Sequence, residues 1–251
     1  MALHQETELP GVLLRNVMMG FVAAAIAACQ SAPPEAGSAE AGAFPTDAYQ
    51  RAAERGDPVF DFDTAASTLR VYAYRSGPLA QKGHNHVIVA RDWRGALALD
   101  PEELGDSRLD LRIPAAGLQV DPPGVRAELG GAFGGELDAA ARTGTRENML
   151  GARLLDAEAY PVIAISLVGV TGELPRPILT LAVTVRGNRT EIDVPVAVSR
   201  QNGGIRAEGR AVLRHEDLGL APFTAAGGAL RVAEALMVAF ELVGERRRPD
   251  D

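Results

Sequence analysis

The chain has 251 residues, 47% of them hydrophobic, and a formal net charge of −8 at pH 7. That length suits one or two domains and that hydrophobic share fills a core, whereas an acidic chain without a basic face excludes a nucleic-acid binder, which must replace phosphate counterions with Lys and Arg. The single cysteine, Cys29, excludes an internal disulfide and a cysteine-built metal site.

In chain order, Arg15 precedes an apolar run from Val17 to Ala28 that ends in Ile26-Ala27-Ala28-Cys29. A positive charge, a short apolar stretch and small residues before a cleavage position are the layout of a secretory signal. The run is too short to cross a bilayer as a helix. A branched aliphatic, two alanines and a cysteine resemble the lipobox of bacterial lipoproteins, in which the thiol is acylated and becomes the mature N-terminus. On that resemblance residues 1–28 are a lipoprotein-type signal peptide and Cys29 is the lipidation site. Gln30 stands where an aspartate would favour the inner membrane, so anchoring to the outer membrane, facing the periplasm, is expected. An ordinary signal peptide with an incidental cysteine is the alternative.

Residues 29–57 read as a flexible tether, because SAPPEAGSAEAGAFP buries too little apolar surface to order itself. Within it Asp47 to Gly56 fits a short helix capped by Thr46 or Asp47. The folded domain is expected over 58–245, beginning near Val59. Residues 246–251, with Arg246-Arg247-Arg248 followed by Asp250 and Asp251, read as a disordered, solvated tail.

Seven segments alternate apolar and polar residues. They are Leu69-Val71-Ala73, Trp93-Gly95-Leu97-Leu99, Leu109-Leu111-Ile113, Ile163-Ile165-Leu167, Leu179-Leu181-Val183-Val185, Ile192-Val194-Val196-Val198 and Leu236-Val238-Phe240-Leu242. Period two puts the apolar set on one face of a pleated strand. Less regular strands are expected at Val87 to Ala90 and Ile205 to Leu213. Gly187-Asn188 and Asn202-Gly203-Gly204 mark tight turns, so the strands they join are antiparallel. Eight or nine strands suit a small closed barrel, which removes exposed edges; a sandwich has the same strand spacing. Between the third and fourth segments, Glu136 to Leu150 reads as a helix approached through Gly130, Gly131, Gly134 and Gly135.

No nucleotide-binding loop is present, since GGAFGG at 130–135 lacks both GxGxxG spacing and a P-loop lysine, and no GxSxG elbow occurs. The polar constellation is Gly83-His84-Asn85-His86 with His215. On an extended segment His84 and His86 point the same way, and His215 would complete a three-imidazole site for zinc or copper. Histidines hydrogen-bonded to carbonyls in a rim loop are the alternative. The other route to function is the barrel interior, because eight-stranded barrels hold one small ligand. The residues expected to line it are Leu97, Leu111, Ile165, Val183, Val194, Val196, Leu213 and Phe240. Such a cavity is aliphatic and suits a flexible hydrocarbon; the same side chains packed solid are the alternative.

The stretch from Val59 to Gly244 resembles the YceI-like family, on Arg146 with Leu150, the Leu154-Leu155-Asp156 turn, Tyr160-Pro161, the strand pair around Gly187-Asn188 and LRHEDLGLAPF at Leu213 to Phe223. GHNH marks the chain as a divergent member. The resemblance implies an all-β fold, an eight-stranded antiparallel lipocalin-like barrel with a short helical insertion. It also implies a periplasmic, non-enzymatic protein that binds an isoprenoid or other amphiphilic lipid or a quinone, without a resident cofactor. A metal-dependent redox or hydrolytic role on His84, His86 and His215, and a non-catalytic envelope stress or scaffold role, are the other readings. Monomer and homodimer are both open.

Overall fold

The computed structural model describes residues 42–248, whose strands form one antiparallel sheet that closes on itself. A first helix, α1 (Thr46–Glu54), precedes β1 (Val59–Phe62), β2 (Thr68–Ser76), β3 (His86–Ala90), β4 (Arg94–Ala98), β5 (Arg108–Pro114) and β6 (Leu118–Val120). Helices α2 (Pro123–Leu129) and α3 (Ala139–Leu150) form the insertion. Strands β7 (Val162–Thr171), β8 (Ile178–Val185), β9 (Asn188–Gln201), β10 (Gly204–Arg214), β11 (Thr224–Ala225) and β12 (Leu230–Arg246) follow.

Three walls of the barrel are each built from two pieces. Strand β12 pairs with β2 through Leu236↔Ala73 and with β1 through Phe62↔Gly244, so β1 and β2 together run along one long neighbour. In the same way β3–β4 lies beside β1–β2, and β5–β6 beside β3–β4. Counting each pair once, the ring has eight staves in simple up-and-down order, closed by β12 against β1. The breaks have local causes. The Asp63 carboxylate accepts the Ala65 and Ala66 N–H groups at 2.8 and 3.2 Å and turns the chain after β1. Pro114, which has no N–H to give a ladder, ends β5.

The alternating residues face the two sides as expected. Leu69, Leu109, Leu111, Leu181, Val194 and Leu242 enter the interior core, together with Phe62 and Trp93. The outer face is not all solvated. Tyr72, Val87 and Val89 on β2 and β3 are covered by α2 and by Phe133, whose ring meets Tyr72 and Tyr74 edge-on at 5.4 and 5.6 Å. Helix α1 covers β1 and β4 in the same way, with Tyr49 fully buried.

Some expectations shift. The short helix expected at Asp47 to Gly56 is present as α1, so the stretch read as a tether ends in ordered structure, because Tyr49 and Ala52 have an apolar wall to cover. The first tight turn is centred on Arg186-Gly187, both at positive φ, with Val185 paired to Asn188. Arg246 is the last residue of β12, and Arg247 grips Asp61 through two hydrogen bonds of 2.8 and 2.6 Å, so the expected solvated tail is bound to the barrel at its start. The signal peptide and Cys29 lie outside the described residues.

Candidate functional site

The barrel is packed at one end and hollow at the other. At the packed end Phe62 and Trp93 tilt against each other, ring centres 6.3 Å apart, while Phe60, Leu99 and Ile205 form a second cluster there. A β-carbon on Gly95 would meet the Phe62, Trp93 and Leu111 side chains within 3.0 Å, so the smallest residue is required where two rings and a leucine converge.

Above this floor lies a cavity of about 330 Å³. Its walls are aliphatic, including Val71, Ile88, Ile165, Leu179, Val194 and Val238, with Phe223 and Phe240 as the aromatic contributors. Ile163 and Ile165 of β7 are half-buried and face this space. Of the residues expected to line the interior, Leu111, Ile165, Val183, Val194, Val196, Leu213 and Phe240 do so. Leu97 lies instead with the packed cluster of Phe60, Leu99 and Ile205.

The mouth is built by the motifs singled out in the sequence. Strand β6 has no partner on its far side, and Arg146 of α3 fills that role: its Nε and Nη2 donate to the Leu118 and Ala116 carbonyls at 3.2 and 2.6 Å. This brings Thr145, Asn148 and Met149 to the cavity, and the following turn adds Leu154 and Leu155. A β-carbon on Gly187 would lie 3.2 Å from the Tyr160 ring, so Tyr160 packs on the β8–β9 turn at a residue that is also at positive φ. Opposite, a short 3-10 turn at Glu216–Leu218 ends at Gly219 (φ 67°), where a β-carbon would strike the Asn188 side chain. Leu218 and Leu220 thereby join Val183 and Val185 at the rim.

Two histidines also line this end. His86 Nδ1 meets Asp121 Oδ2 at 2.6 Å. Asp121 is fully buried at the end of β6, where the proline pair that follows has no N–H to continue the ladder, and its other oxygen accepts from Val87 N and Arg126 Nη1 at 3.0 and 2.8 Å. Burial alone raises this carboxyl; the hydrogen bonds from His86 and Val87, the charge of His86 and the hydrogen bond from Arg126 outweigh it and hold Asp121 below the usual carboxylate range. Arg126 also donates to the Asn85 and Gly134 carbonyls, which fastens α2 and its glycine loop to the mouth. On the other side His215, nearly fully buried, has its Nδ1 2.9 Å from the Glu234 carbonyl.

The three-histidine metal set does not assemble. His84 is exposed because β3 begins only at His86, so the alternation assumed for the pair is not in force. The matched row His86–Ala73–Leu236–Leu213 places His86 and the end of β10 three strands apart, roughly 14 Å along the wall at about 4.8 Å per strand. Imidazoles sharing a zinc ion sit about 2 Å from it. Among the described residues no three His, Cys, Asp or Glu side chains converge on one point. The His86–Asp121 pair orients an imidazole as a catalytic dyad does, yet serine, cysteine and lysine are absent from the lining, and the Thr145 hydroxyl there donates back to the Ala141 carbonyl at 2.9 Å.

The sequence reading missed Asp121, Arg126 and helix α2, and it named Asn85 without its partners, the Arg75 N–H and the Ala132 carbonyl. The signal available was Pro123 at the first turn of α2, a favoured place for proline, but Pro122-Pro123-Gly124 also reads as a loop. Nothing in the sequence ties Asp121 to His86.

No curated protein matches the chain. Among solved structures it is similar to BcnA of Burkholderia cenocepacia, 15% identical with a TM-score of 0.54, over 73% of this chain and 99% of that one. It is also similar to the YceI protein of Campylobacter jejuni, 12% identical with a TM-score of 0.47, over 64% of this chain and 84% of that one. The BcnA likeness is one of fold, and it agrees with the closed eight-stave ring. The sequence itself matches the model of the YceI-like domain over residues 60–243, a span that runs from β1 to β12 and contains the whole cavity, and on that match the chain belongs to the YceI-like family.

Proposed function

We propose that the protein binds or carries an apolar isoprenoid-type lipid or quinone, is tethered to the outer membrane on its periplasmic side through acylated Cys29, and does no chemistry on its ligand. The observation that carries this reading is a 330 Å³ cavity whose lining contains no Lys, Arg, Asp or Glu. Its size falls in the range of about 300–1,000 Å³ in which proteins hold small molecules. Each methylene moved from water into such a wall is favourable by about 0.8 kcal/mol, so a branched chain filling it is retained strongly. The scarcity of rings in the lining supports an aliphatic chain over a stacked heteroaromatic one.

The test is to export the full-length chain to the periplasm, extract the purified protein with organic solvent, and identify the extract by mass spectrometry. A polyprenyl or quinone mass near one per protein is the expected result; protein that carries no lipid and takes up none from added isoprenoids refutes the reading. The anchor has its own test. Cys29→Ser is expected to move the protein from the membrane fraction to the soluble periplasm, and unchanged partitioning overturns that part.

A further inference from the structure

The wall of the barrel is not hydrogen-bonded along its whole height. Strands β9 and β10 pair from Gly204↔Gln201 only as far as Gly209↔Val196, whereas β9 runs on beside β8 to Asn188 and β10 runs on beside β12 to Arg214. Alternation fixes which backbone groups are left over. The Val196 N–H donates to the Pro177 carbonyl on the β8 side, so the N–H and C=O of Glu191 and Asp193 face β10, and by the same register those of Val212 and Arg214 face β9. Pro195 is the physical cause. The next row would set it opposite Arg210, and proline has no N–H to give the Arg210 carbonyl. At the foot of this split the strands are pressed together: a β-carbon on Gly209 would lie 2.9 Å from the Pro195 carbonyl oxygen and 2.6 Å from the Phe240 ring.

The split opens onto the cavity. Ile192 and Val194 on one lip and Ala211 and Leu213 on the other belong to the cavity lining, and Val196 and Phe240 at the foot line both the cavity and a depression on the outer wall beside Pro195, Gly209 and Arg210. Side chains do not close it. Among the described residues the charged groups of the lips are bonded on their own side: Arg189 to Glu191, Asp193 to the Thr180 hydroxyl on β8, and Arg214 to Glu216. Val212, on the outer face of the β10 lip, is 64% exposed, as befits a strand residue without a neighbour across. The other interruption of the ring, beside β6, is covered by α3 and latched by Arg146. A chain entering from the mouth must part Leu154, Leu155, Leu218 and Leu220, which pack with Val183 and Val185. Widening the split breaks no ladder bond.

We propose that the β9–β10 split is a side portal through which a hydrocarbon chain enters and leaves the cavity, held open by Pro195 and pivoting at Gly209. Its inner lips are aliphatic and Ala211 is the smallest side chain on them, so a chain sliding through stays in contact with apolar wall. A free strand edge also invites a strand of another protein, and charged side chains along an edge are the common guard against that pairing. Arg189, Glu191, Arg210 and Arg214 place such charges on the exposed side of both lips, which favours passage of a ligand over docking of a peptide. This rests on the reading of the cavity as a lipid site and adds the route by which it fills.

The experiment uses the exported full-length chain with Cys29→Ser, Asp193→Cys and Val212→Cys, positions that stand opposite each other when the β9–β10 register is continued past Gly209↔Val196. Uptake of dansyl-labelled farnesol from phosphatidylcholine vesicles, and its return to them, are timed in the reduced and the oxidised form of this one protein. Pro195→Val, which restores the missing N–H, is the second variant. One added ladder bond should slow exchange by about two- to ten-fold, and the disulfide should slow it further, with the amount bound at equilibrium nearly unchanged because the route and not the cavity has been altered. Equal rates in the oxidised and reduced forms, with the disulfide verified by mass, assign the route to the α3 end and overturn the portal while the carrier reading stands. Hydrogen exchange on the lipid-free parent needs no ligand: the amides of Glu191, Asp193 and Val212 should exchange freely while those of Ala197 and Glu208 are protected, and protection of all five overturns the split itself. A reduced protein that takes up no probe overturns the carrier reading and the portal together.

Discussion

Filling the cavity from within separates ligand binding from stability, because the two should respond in opposite directions. Ala211 lies on β10 at mid-height, in the row Ala211–Val238–Val71–Ile88–Val120 that crosses the wall of the cavity. Ala211→Phe projects a benzyl ring into this space. A dry cavity of about 150 Å³ accommodates one benzene, so the ring removes close to half of the 330 Å³. A chain ligand then loses burial of about five methylene-sized groups, about 4 kcal/mol at ~0.8 kcal/mol each, or nearly three decades in Kd. The empty protein should not suffer. Void removal returns up to about 3.6 kcal/mol at ~24 cal/mol per Å³, against ~1–3 kcal/mol of packing strain. Retained lipid, quantified by extraction and mass spectrometry, and thermal unfolding of the delipidated protein measure both sides. Lipid content unchanged by Ala211→Phe in a protein with an unaltered melting curve would refute the argument that the ligand occupies this space.

Three further substitutions probe the supports of the site. Tyr49→Phe removes the hydroxyl that donates to the Ala96 carbonyl at 2.9 Å or to Asp110 Oδ2 at 3.0 Å, and burial with the Asp110 charge pushes that phenol far above its ordinary range. The expected loss is ~1–3 kcal/mol, seen as a lower Tm with lipid content unchanged; an unaltered Tm would show that α1 is not latched there. Asp121 has a depressed pKa in the folded state, so its stabilisation is fully present above the ordinary Asp value near ~3.9 and is lost as pH falls through the lower folded value. Urea unfolding should therefore show Asp121→Asn destabilised by ~3–5 kcal/mol at pH 7, with the gap to the parent protein narrowing in acid; a gap independent of pH contradicts the sign. Arg146→Met leaves the Leu118 and Ala116 carbonyls without their donor and frees α3 at the mouth. Faster lipid exchange together with a drop of ~1–3 kcal/mol is expected, and hydrogen exchange at α3 identical to the parent would sink this role.

The barrel wall was legible because its two faces meet different surroundings, and a period of two is the direct imprint of that difference. What did not show was how the wall is pieced together. Asp63 breaks one stave by accepting two N–H groups, and a second break at Arg91–Trp93 passes through Asp92 at positive φ, but aspartates are common in turns of every kind. The metal expectation failed for a similar reason. Alternation at His84 and His86 presumes a strand through both, whereas β3 starts at His86, and the residue that governs His86 is supplied by Asp121, 35 positions away. Long-range side-chain partnerships of this kind leave no periodicity to read. The family motif, by contrast, had structural content throughout: Arg146 substitutes for a missing strand neighbour, Tyr160 sits on Gly187, and Gly219 has no room for a β-carbon against Asn188.

A hollow eight-stave barrel needs an explanation, since a ring of this size is just wide enough for ordinary side chains to fill. Side-chain size is graded along the interior. Phe62, Trp93, Leu109 and Leu242 close one end, while Ala73, Ala90, Ala207 and Ala211 face the cavity. Replacing those alanines with leucines would bury three more carbons at each position, at about 0.8 kcal/mol per methylene, and the sequence forgoes that stabilisation. It is offset on the outside. Tyr49 on one face and the Tyr72–Phe133 contact on another bury large rings against the outer wall, where they brace the staves without entering the lumen. The layers around the barrel are thus part of the binding site in an energetic sense: they hold rigid a wall whose interior has been kept free for a ligand.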